Sequence, residues 1–223
     1  MLKIENFEVL GWEHAIRGMR NPMNSWEKSD SNFFDDSEGH VCNICQGRGS
    51  MSLIEIGQND YTLMKNLRNA GTDHRKFMRM ITVYLDITAP LYWWKEFDTY
   101  KVGTVANSCS TMHKIHSKEF TLEDFSCEKL YDQLGDLRPI VDRLNVYRER
   151  YLETKDKNDW WQMIQLLPTS YNQKRTVMLN YEVLANIYKS RRNHKLDCWH
   201  TFCDWIEELP YSELITGKEH EVK

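Results

Sequence analysis

The sequence predicts an α+β fold in which several helices pack with a small mixed or antiparallel sheet. Residues 81–87 (Ile-Thr-Val-Tyr-Leu-Asp-Ile) alternate between apolar and polar side chains, which is typical of a β-strand. Strand signals are few, and helical patterns follow one another in the second half of the chain, which favours α+β over α/β. The 223 residues are enough for one domain with a real core. We expect that domain over residues 1–215, with a loop insertion at 31–52 and a tail at 216–223.

The other elements are predicted in chain order from periodicity and from residues that end helices. Residues 4–10 predict a short strand, and residues 12–19 predict a helix that ends at Asn21-Pro22. Residues 59–71 predict a helix that ends at Gly71. Residues 121–124 form a capping box that is expected to open another helix. Later helices are predicted over residues 137–144, 160–167, 175–192 and 196–209.

Composition excludes several classes of function. The net charge is −4, so no global field favours nucleic acid. No apolar run reaches the length of a membrane span, and the first residues lack the apolar stretch of a signal peptide. We therefore expect a cytoplasmic protein that binds neither nucleic acid nor membrane, and whose six cysteines are free thiols.

Two local features suit an anionic ligand. Residues 102–110 form a loop of small polar residues, whose backbone amides and hydroxyls can hold a phosphate or a carbonyl-bearing ring. His74, Arg75, Lys76 and Arg79 form a basic cluster, which is either a phosphate site or a solvated helix face. Cys109, within the loop, is either a nucleophile or a small residue packed in a turn.

The predicted late helix carries a candidate catalytic cation. Asn180, Val183, Ile187 and Arg191 lie on nearly one face of that helix. A guanidinium at the end of such a face can stabilise negative charge that develops on a carbonyl oxygen. The alternative is that Arg191 only complements the helix dipole.

The spacing of these segments resembles that of the flavin-dependent thymidylate synthase (ThyX) family. Ala89-Pro90 is followed by eight residues and then by Thr99-Tyr100-Lys101, and the spacing from Pro168 through Asn180 to Arg191 has no gap. The resemblance covers residues 4–210 outside the insertion. It implies a ThyX-like fold, a homotetramer, and reductive methylation of dUMP or a related pyrimidine nucleotide. The cofactors it implies are FAD, with NADPH and methylene-tetrahydrofolate as co-substrates.

The resemblance also implies roles for individual residues. Arg191 and Cys109 are the candidate catalytic residues. Residues expected to bind FAD are Ser25, His74, Thr99, Tyr100, Lys101, Asn107, Asn180 and Asn186. Residues expected to bind the pyrimidine nucleotide are Glu96, Cys109, Ser110, Thr111 and Arg191.

Several positions depart from the family pattern. Thr99-Tyr100-Lys101 stands where the family has Arg-His-Arg, Thr104 stands at its first loop serine, and Glu182 replaces an arginine. Losing guanidinium groups weakens phosphate binding, because threonine cannot replace a bidentate fork. Two alternatives therefore stay open: a relative with a changed reaction on a pyrimidine nucleotide, and a non-catalytic protein that binds nucleotide or a partner.

Cys42 and Cys45 form a CxxC unit that resembles half of a zinc hairpin. Structural zinc takes four ligands, and His40 offers a third. The alternatives are two free thiols, or a site shared between subunits.

Overall fold

A four-stranded sheet with strand order β1-β4-β6-β5 runs through the structure, a computed structural model that describes residues 2–34 and 53–218. The strands are β1 (Lys3–Leu10), β4 (Thr82–Pro90), β5 (Val105–Ser108) and β6 (Asn172–Asn180). Pairing is antiparallel: in β4 and β6, Tyr181 donates its amide to Ile81, and ten residues further along Leu91 donates to Tyr171. A second antiparallel pair joins β2 (Asn32–Phe34) to β3 (Leu53–Glu55). The α+β prediction is confirmed.

Helices make up most of the remaining described chain. Their bounds are α1 (Trp12–Arg20), α2 (Gln58–Asn69), α3 (Leu91–Phe97), α4 (Gln133–Asp136), α5 (Arg138–Thr154), α6 (Lys157–Leu166), α7 (Tyr181–Arg191), α8 (Asp197–Glu207) and α9 (Glu213–Thr216). None of the described helices is long and apolar enough to cross a membrane.

The chain divides into two compact units. The first unit comprises residues 1–3, 87–99 and 106–176, and the second comprises residues 4–86, 100–105 and 177–223, as far as each is described. The core of the first unit lies beside α5 and α6 and consists of Ile115, Phe120, Phe125, Leu137, Val141, Leu144 and Met163. Its α3 adds three buried aromatic residues, of which Trp93 stacks on Phe97 with ring centroids 5.0 Å apart.

The second unit is held together by buried aromatic rings and one buried ion pair. Trp12 of α1 packs edge-on against Tyr181 of α7, with ring centroids 5.3 Å apart, and the Tyr181 hydroxyl donates to the Pro210 carbonyl. Arg20 donates from Nε to Asp60 Oδ1 at 2.6 Å, and both side chains are buried. These contacts join α1, α2 and α7, the elements that carry the candidate site of this unit.

Most predicted elements are confirmed, including the strands at 4–10 and 81–87 and the helices at 12–19, 137–144, 160–167 and 196–209. The helix predicted over 175–192 is wrong in its first part, which belongs to β6. Val177 and Leu179 of that strand are buried and alternate with more exposed residues. The Asn180 side chain accepts the Val183 amide hydrogen, so the helix begins after Asn180.

Two smaller predictions also need correction. The capping box at residues 121–124 is present, but it opens only a single 3-10 turn, Leu122–Asp124. The loop predicted over 102–110 contains β5, because its residues pair with β6 at the edge of the sheet. Cys42 and Cys45 lie outside the described residues, so the predicted zinc half-site stays a prediction.

Candidate functional site

A cavity of about 540 Å³ in the second unit lies beside α1, α2 and residues 73–80. We call it the α1–α2 pocket. Its walls are mainly apolar, and Ser25, His74, Asp73 and Lys76 are its charged or hydroxyl-bearing residues. Ser25 and His74, both predicted to bind FAD, are therefore brought together by the fold. A pocket of this size with few polar groups is typical of a small-molecule site. The apolar lining includes Met19, Leu63, Leu67, Phe77 and Met80.

The predicted basic cluster is partly neutralised by Glu182 of α7. Arg75 donates from Nε to Glu182 Oε1 at 3.2 Å, and Arg79 forms a close ion pair with the same carboxylate. Arg75 also donates to Asn186 Oδ1 at 3.1 Å. The cluster is neither a fully free phosphate site nor simply a solvated helix face, because Arg75 and Arg79 are paired with a carboxylate. His74 and Lys76 line the α1–α2 pocket instead.

The electrostatics of this cluster follow from the burial of Glu182. Burial alone would raise the pKa of Glu182, but the hydrogen bonds and charges of Arg79 and Arg75 outweigh it and hold the pKa below its ordinary value. The carboxylate is therefore ionised at neutral pH. Two guanidinium groups and one carboxylate leave a local net charge of +1, and half of the Arg79 side chain (51%) remains exposed to solvent.

Arg191, at the end of α7, is held by two aromatic residues of the same unit. Its Nε donates to the Tyr100 hydroxyl at 3.0 Å. Its guanidinium lies 4.9 Å from the Trp199 ring centroid and 5.7 Å from that of Tyr100. Such cation–π contacts fix the position of a guanidinium without neutralising its charge. Arg191 is thus held in place at the end of α7, where it also complements the helix dipole, and its ligand role stays a prediction.

Asn180 is the N-cap of α7, and its side chain is buried against Gly103. Gly103 has a φ of +78°, and a Cβ at this position would lie 2.9 Å from Asn180 Nδ2. The positive φ of residue 103 and the close contact with Asn180 therefore both disfavour any residue other than glycine at this position. The nearby Thr104 hydroxyl is buried and has no hydrogen-bond partner among the described residues. Lys101, predicted to bind FAD, is exposed in the same loop.

In the first unit, a chain of hydrogen bonds runs from Asp98 to the backbone of Cys109. Arg175 donates to Asp98 at 2.7 Å and to Gln173 Oε1 at 3.0 Å, and Gln173 donates to the Cys109 carbonyl at 2.8 Å. The Arg175 guanidinium also lies 4.1 Å from the Trp94 ring centroid. This network fixes the backbone at the end of β5, where the predicted nucleotide-binding residues begin.

The remaining predicted site residues of the first unit lie on α3, β5 and the turn after it. Cys109 is exposed and carries a free thiol. The Ser110 hydroxyl accepts the amide hydrogens of Met112 and His113, which closes the turn. The Thr99 hydroxyl donates to the Glu96 carbonyl at 2.7 Å. Asn107 is exposed on β5, and Thr111 is half-buried.

Sequence reasoning missed the roles of Arg175 and Glu182 in these networks. Arg175 was assigned to a helix, so its contacts with Asp98 and Gln173 could not be foreseen. From the sequence, Glu182 is recognisable only as the replacement of an arginine in the family pattern. The one available signal was the nearby basic cluster at residues 74–79, because a buried carboxylate needs cationic partners.

Comparisons with known proteins establish the fold. No family model matches this chain, and neither does the sequence of any curated protein. The structure is similar to the crystal structure of thymidylate synthase X (ThyX) from Helicobacter pylori with FAD and dUMP, with a TM-score of 0.69 and 15% identity over 97% of this chain and 98% of that chain. A second structure of that enzyme, also complexed with FAD and dUMP, matches equally well over 96% of this chain and 98% of that chain.

A third similar structure is a UMP/dUMP methylase, PolB from Streptomyces cacaoi, bound with 5-Br dUMP. Its TM-score is 0.57 and its identity 12%, over 97% of this chain and 95% of that chain. At these identities the likeness shows the fold alone. The chain therefore has a divergent ThyX-like fold, as the spacing of its motifs predicts.

Proposed function

We propose that this protein is a flavin-dependent thymidylate synthase-like enzyme that reductively methylates dUMP or a related pyrimidine nucleotide. The observation that carries the proposal is the placement of Arg191, which is held by Tyr100 and Trp199 at the end of α7. A fixed guanidinium can stabilise negative charge that develops on a pyrimidine carbonyl oxygen. The shared fold with enzymes solved with dUMP or 5-Br dUMP supports the substrate class.

The residues of the second unit fit FAD. The apolar walls of the α1–α2 pocket suit a flat ring, and Ser25 and His74 supply polar contacts at its edge. The orphaned Thr104 hydroxyl suits a ligand oxygen or nitrogen, because a buried hydroxyl without a partner is costly. Arg79, half-exposed, is the cation best placed to meet a phosphate. When bound, the reduced flavin would supply the hydride for the reductive methylation.

The other predicted residues take supporting roles in this proposal. Asn180 holds the start of α7 and so fixes the helix that carries Arg191. The Ser110 hydroxyl closes the turn that carries Cys109 and Thr111, both of which are proposed to bind the nucleotide. Cys109 is not required as a nucleophile when flavin supplies the reducing equivalents. NADPH and methylene-tetrahydrofolate are proposed as co-substrates, and a homotetramer is the proposed assembly.

A second candidate is a ThyX-fold relative with a changed reaction on a pyrimidine nucleotide. The pairing of Glu182 with both Arg75 and Arg79 favours it, because a carboxylate at this point competes with a phosphate for the same guanidiniums. The UMP/dUMP methylase with the same fold supports a methylation reaction in either case. A non-catalytic nucleotide-binding protein is the third outcome that the experiment must separate.

The test is an absorbance spectrum of the purified protein, recorded before and after FAD is added and free FAD is removed by desalting. Bands in the near-ultraviolet and blue indicate bound flavin, and dUMP titration with a tritium-release assay then measures the reaction. A protein that shows no flavin band after desalting and no quenching of flavin fluorescence on titration with FAD, but binds dUMP, supports the second candidate or the non-catalytic protein. Binding of neither flavin nor dUMP contradicts the whole proposal.

Arg191 is tested against its neighbour. Arg191→Lys loses the planar fork and its stacking, so we expect kcat/KM for dUMP to fall at least about tenfold. Arg192→Lys is the matched control, because Arg192 pairs with Asp204 and Glu207 instead. Equal losses in the two variants would show that Arg191 acts only as a helix-end cation.

A further inference from the structure

A cavity of about 400 Å³ lies in the first unit, and none of the residues predicted to bind FAD or the nucleotide lines it. We call it the α5–α6 cleft, because it lies where α5 ends and α6 begins. Its lining consists of Met112, His113, His116, Tyr151, Lys155, Lys157 and Trp160. Two lysines, two histidines and two aromatic rings line it, and no carboxylate among the described residues does. This composition is unusual in a chain whose net charge is −4.

The aromatic walls of the cleft are fixed in place. The Trp160 indole donates from Nε1 to the Met112 carbonyl at 3.0 Å, which ties α6 to the turn after β5. The His116 ring packs edge-on against Tyr151, with ring centroids 4.9 Å apart. Rings held in this way offer a flat ligand a surface at little cost in side-chain entropy.

The cationic groups give the cleft a positive potential. Burial, followed by the charges of Lys155, Lys114 and Arg148, lowers the pKa of His116, so its ring is neutral at pH 7. His116 Nδ1 is buried and has no hydrogen-bond partner among the described residues. The Lys155 ammonium lies 5.7 Å from the Tyr151 ring centroid, so it is near the aromatic wall.

The carboxylates closest in sequence to the two lysines are Glu153, Asp156 and Asp159, and none of them lines the cleft. Asp156 caps α6 by accepting the Asn158 amide hydrogen at 2.8 Å. Asp159 is buried and pairs with Arg150 at 3.5 Å. These carboxylates reduce the positive potential of the cleft but do not occupy it.

We propose that the α5–α6 cleft binds a small anionic molecule with a flat ring, of the size of a nucleoside monophosphate. The lysines meet the anionic group, and the rings of Tyr151 and Trp160 meet the flat part. The volume suits a mononucleotide. None of the residues proposed above for FAD and dUMP lines the cleft, but Met112 directly follows Thr111 and donates its amide hydrogen to the Ser110 hydroxyl. The two proposals are separated by substitutions of Lys155 and Lys157, neither of which is proposed to bind FAD or dUMP.

The test uses the whole 223-residue chain with ¹⁵N-labelled tryptophan and follows the indole signal of Trp160 by NMR. The signal is assigned with Trp160→Phe, and Trp12, which is buried in the second unit, is the internal reference, because Trp161 is in ring contact with Trp160. The probes are AMP, inorganic phosphate and adenosine, which separate the contributions of anion and ring. We expect saturable shifts at Trp160 with AMP, weaker ones with phosphate, and the weakest with adenosine.

Charge is tested with Lys155→Met combined with Lys157→Met, which we expect to weaken AMP binding at Trp160 at least about fivefold. Lys65→Met is the matched control, because Lys65 also lies over a tyrosine ring, that of Tyr61, but outside the cleft. The proposal is overturned by adenosine binding as tightly as AMP, or by equal affinity in the double variant. It is also overturned if Trp160 does not shift at about 10 mM AMP, a concentration that would reveal even a millimolar site.

Discussion

Replacing Glu182 by glutamine tests whether this carboxylate competes with a ligand phosphate for Arg75 and Arg79. The Glu182 side chain is only 12% exposed and accepts hydrogen bonds from both arginines. Glutamine keeps the length of the side chain and one acceptor oxygen but removes the charge. The local net charge of the cluster therefore rises from +1 to +2.

The expected gain in anion affinity follows from the geometry. One unit of charge about 6 Å from a phosphate contributes roughly 3 kcal/mol at an effective dielectric constant near 20. Arg79 is half-exposed, so solvent and salt reduce this to about 1.5 kcal/mol, which corresponds to roughly tenfold tighter binding. The same change removes a partly buried ion pair, so we also expect the free energy of unfolding to fall by about 1–2 kcal/mol.

The assay is a titration of FAD followed by quenching of flavin fluorescence, at low and at moderate salt. Glu207→Gln is the matched control, because Glu207 is also a cation-paired carboxylate but pairs with Arg192 and Lys218 rather than with Arg75 and Arg79. Thermal unfolding confirms that each variant is folded. Unchanged or weaker FAD binding in a folded Glu182→Gln variant would refute the competition argument, as would an equal gain in the control.

Further predictions concern stability and thiol reactivity. Asp60→Asn leaves Arg20 buried without its counter-ion, so urea unfolding should show a loss of about 3–5 kcal/mol, and a loss below about 1 kcal/mol would contradict this. Burial raises the pKa of Asp60, but hydrogen bonds from two serine hydroxyls and Arg20 outweigh it, so the net pKa is lowered. Stability from this group is therefore present at neutral pH and is lost as the pH falls below about 4, a pH dependence that Asp60→Asn should lack. Burial raises the pKa of the Cys203 thiol to about 11, whereas Cys109 is exposed. Iodoacetamide should therefore modify Cys109 at least about tenfold faster than Cys203, as measured by peptide mass spectrometry. Equal rates would contradict the placement of Cys203.

The elements that the sequence predicts correctly are those whose signals are local. The alternation in residues 81–87 and the apolar spacing of Leu137, Val141 and Leu144 depend only on neighbours along the chain. Residues 175–180 are different, because their strand is defined by pairing with β4 and β5, which are distant in sequence. The single local sign of the true boundary was Asn180, a preferred N-cap residue.

In the candidate site too, local features could be predicted from the sequence and long-range contacts could not. Spacing placed Arg191 at the end of a helix, and the structure has it there, because helix length is a local property. The partners of Glu182 lie more than 100 residues away in sequence, at Arg75 and Arg79. The basic cluster at residues 74–79 offers candidate partners, but a single sequence does not show which cations neutralise the carboxylate.

The exchange of an arginine for Glu182 therefore has a milder consequence than the sequence alone indicates. Positive charge is not lost from this region; Arg75 and Arg79 supply two guanidiniums, and Glu182 neutralises one unit of their charge. A phosphate must displace an internal carboxylate to bind there, which lowers its affinity without abolishing it. Flavin bound under these conditions should be present at saturating FAD and lost on desalting. The spectrum after desalting would then show no flavin, and the titration of FAD followed by fluorescence quenching, which measures binding at equilibrium, distinguishes a weakly held cofactor from none.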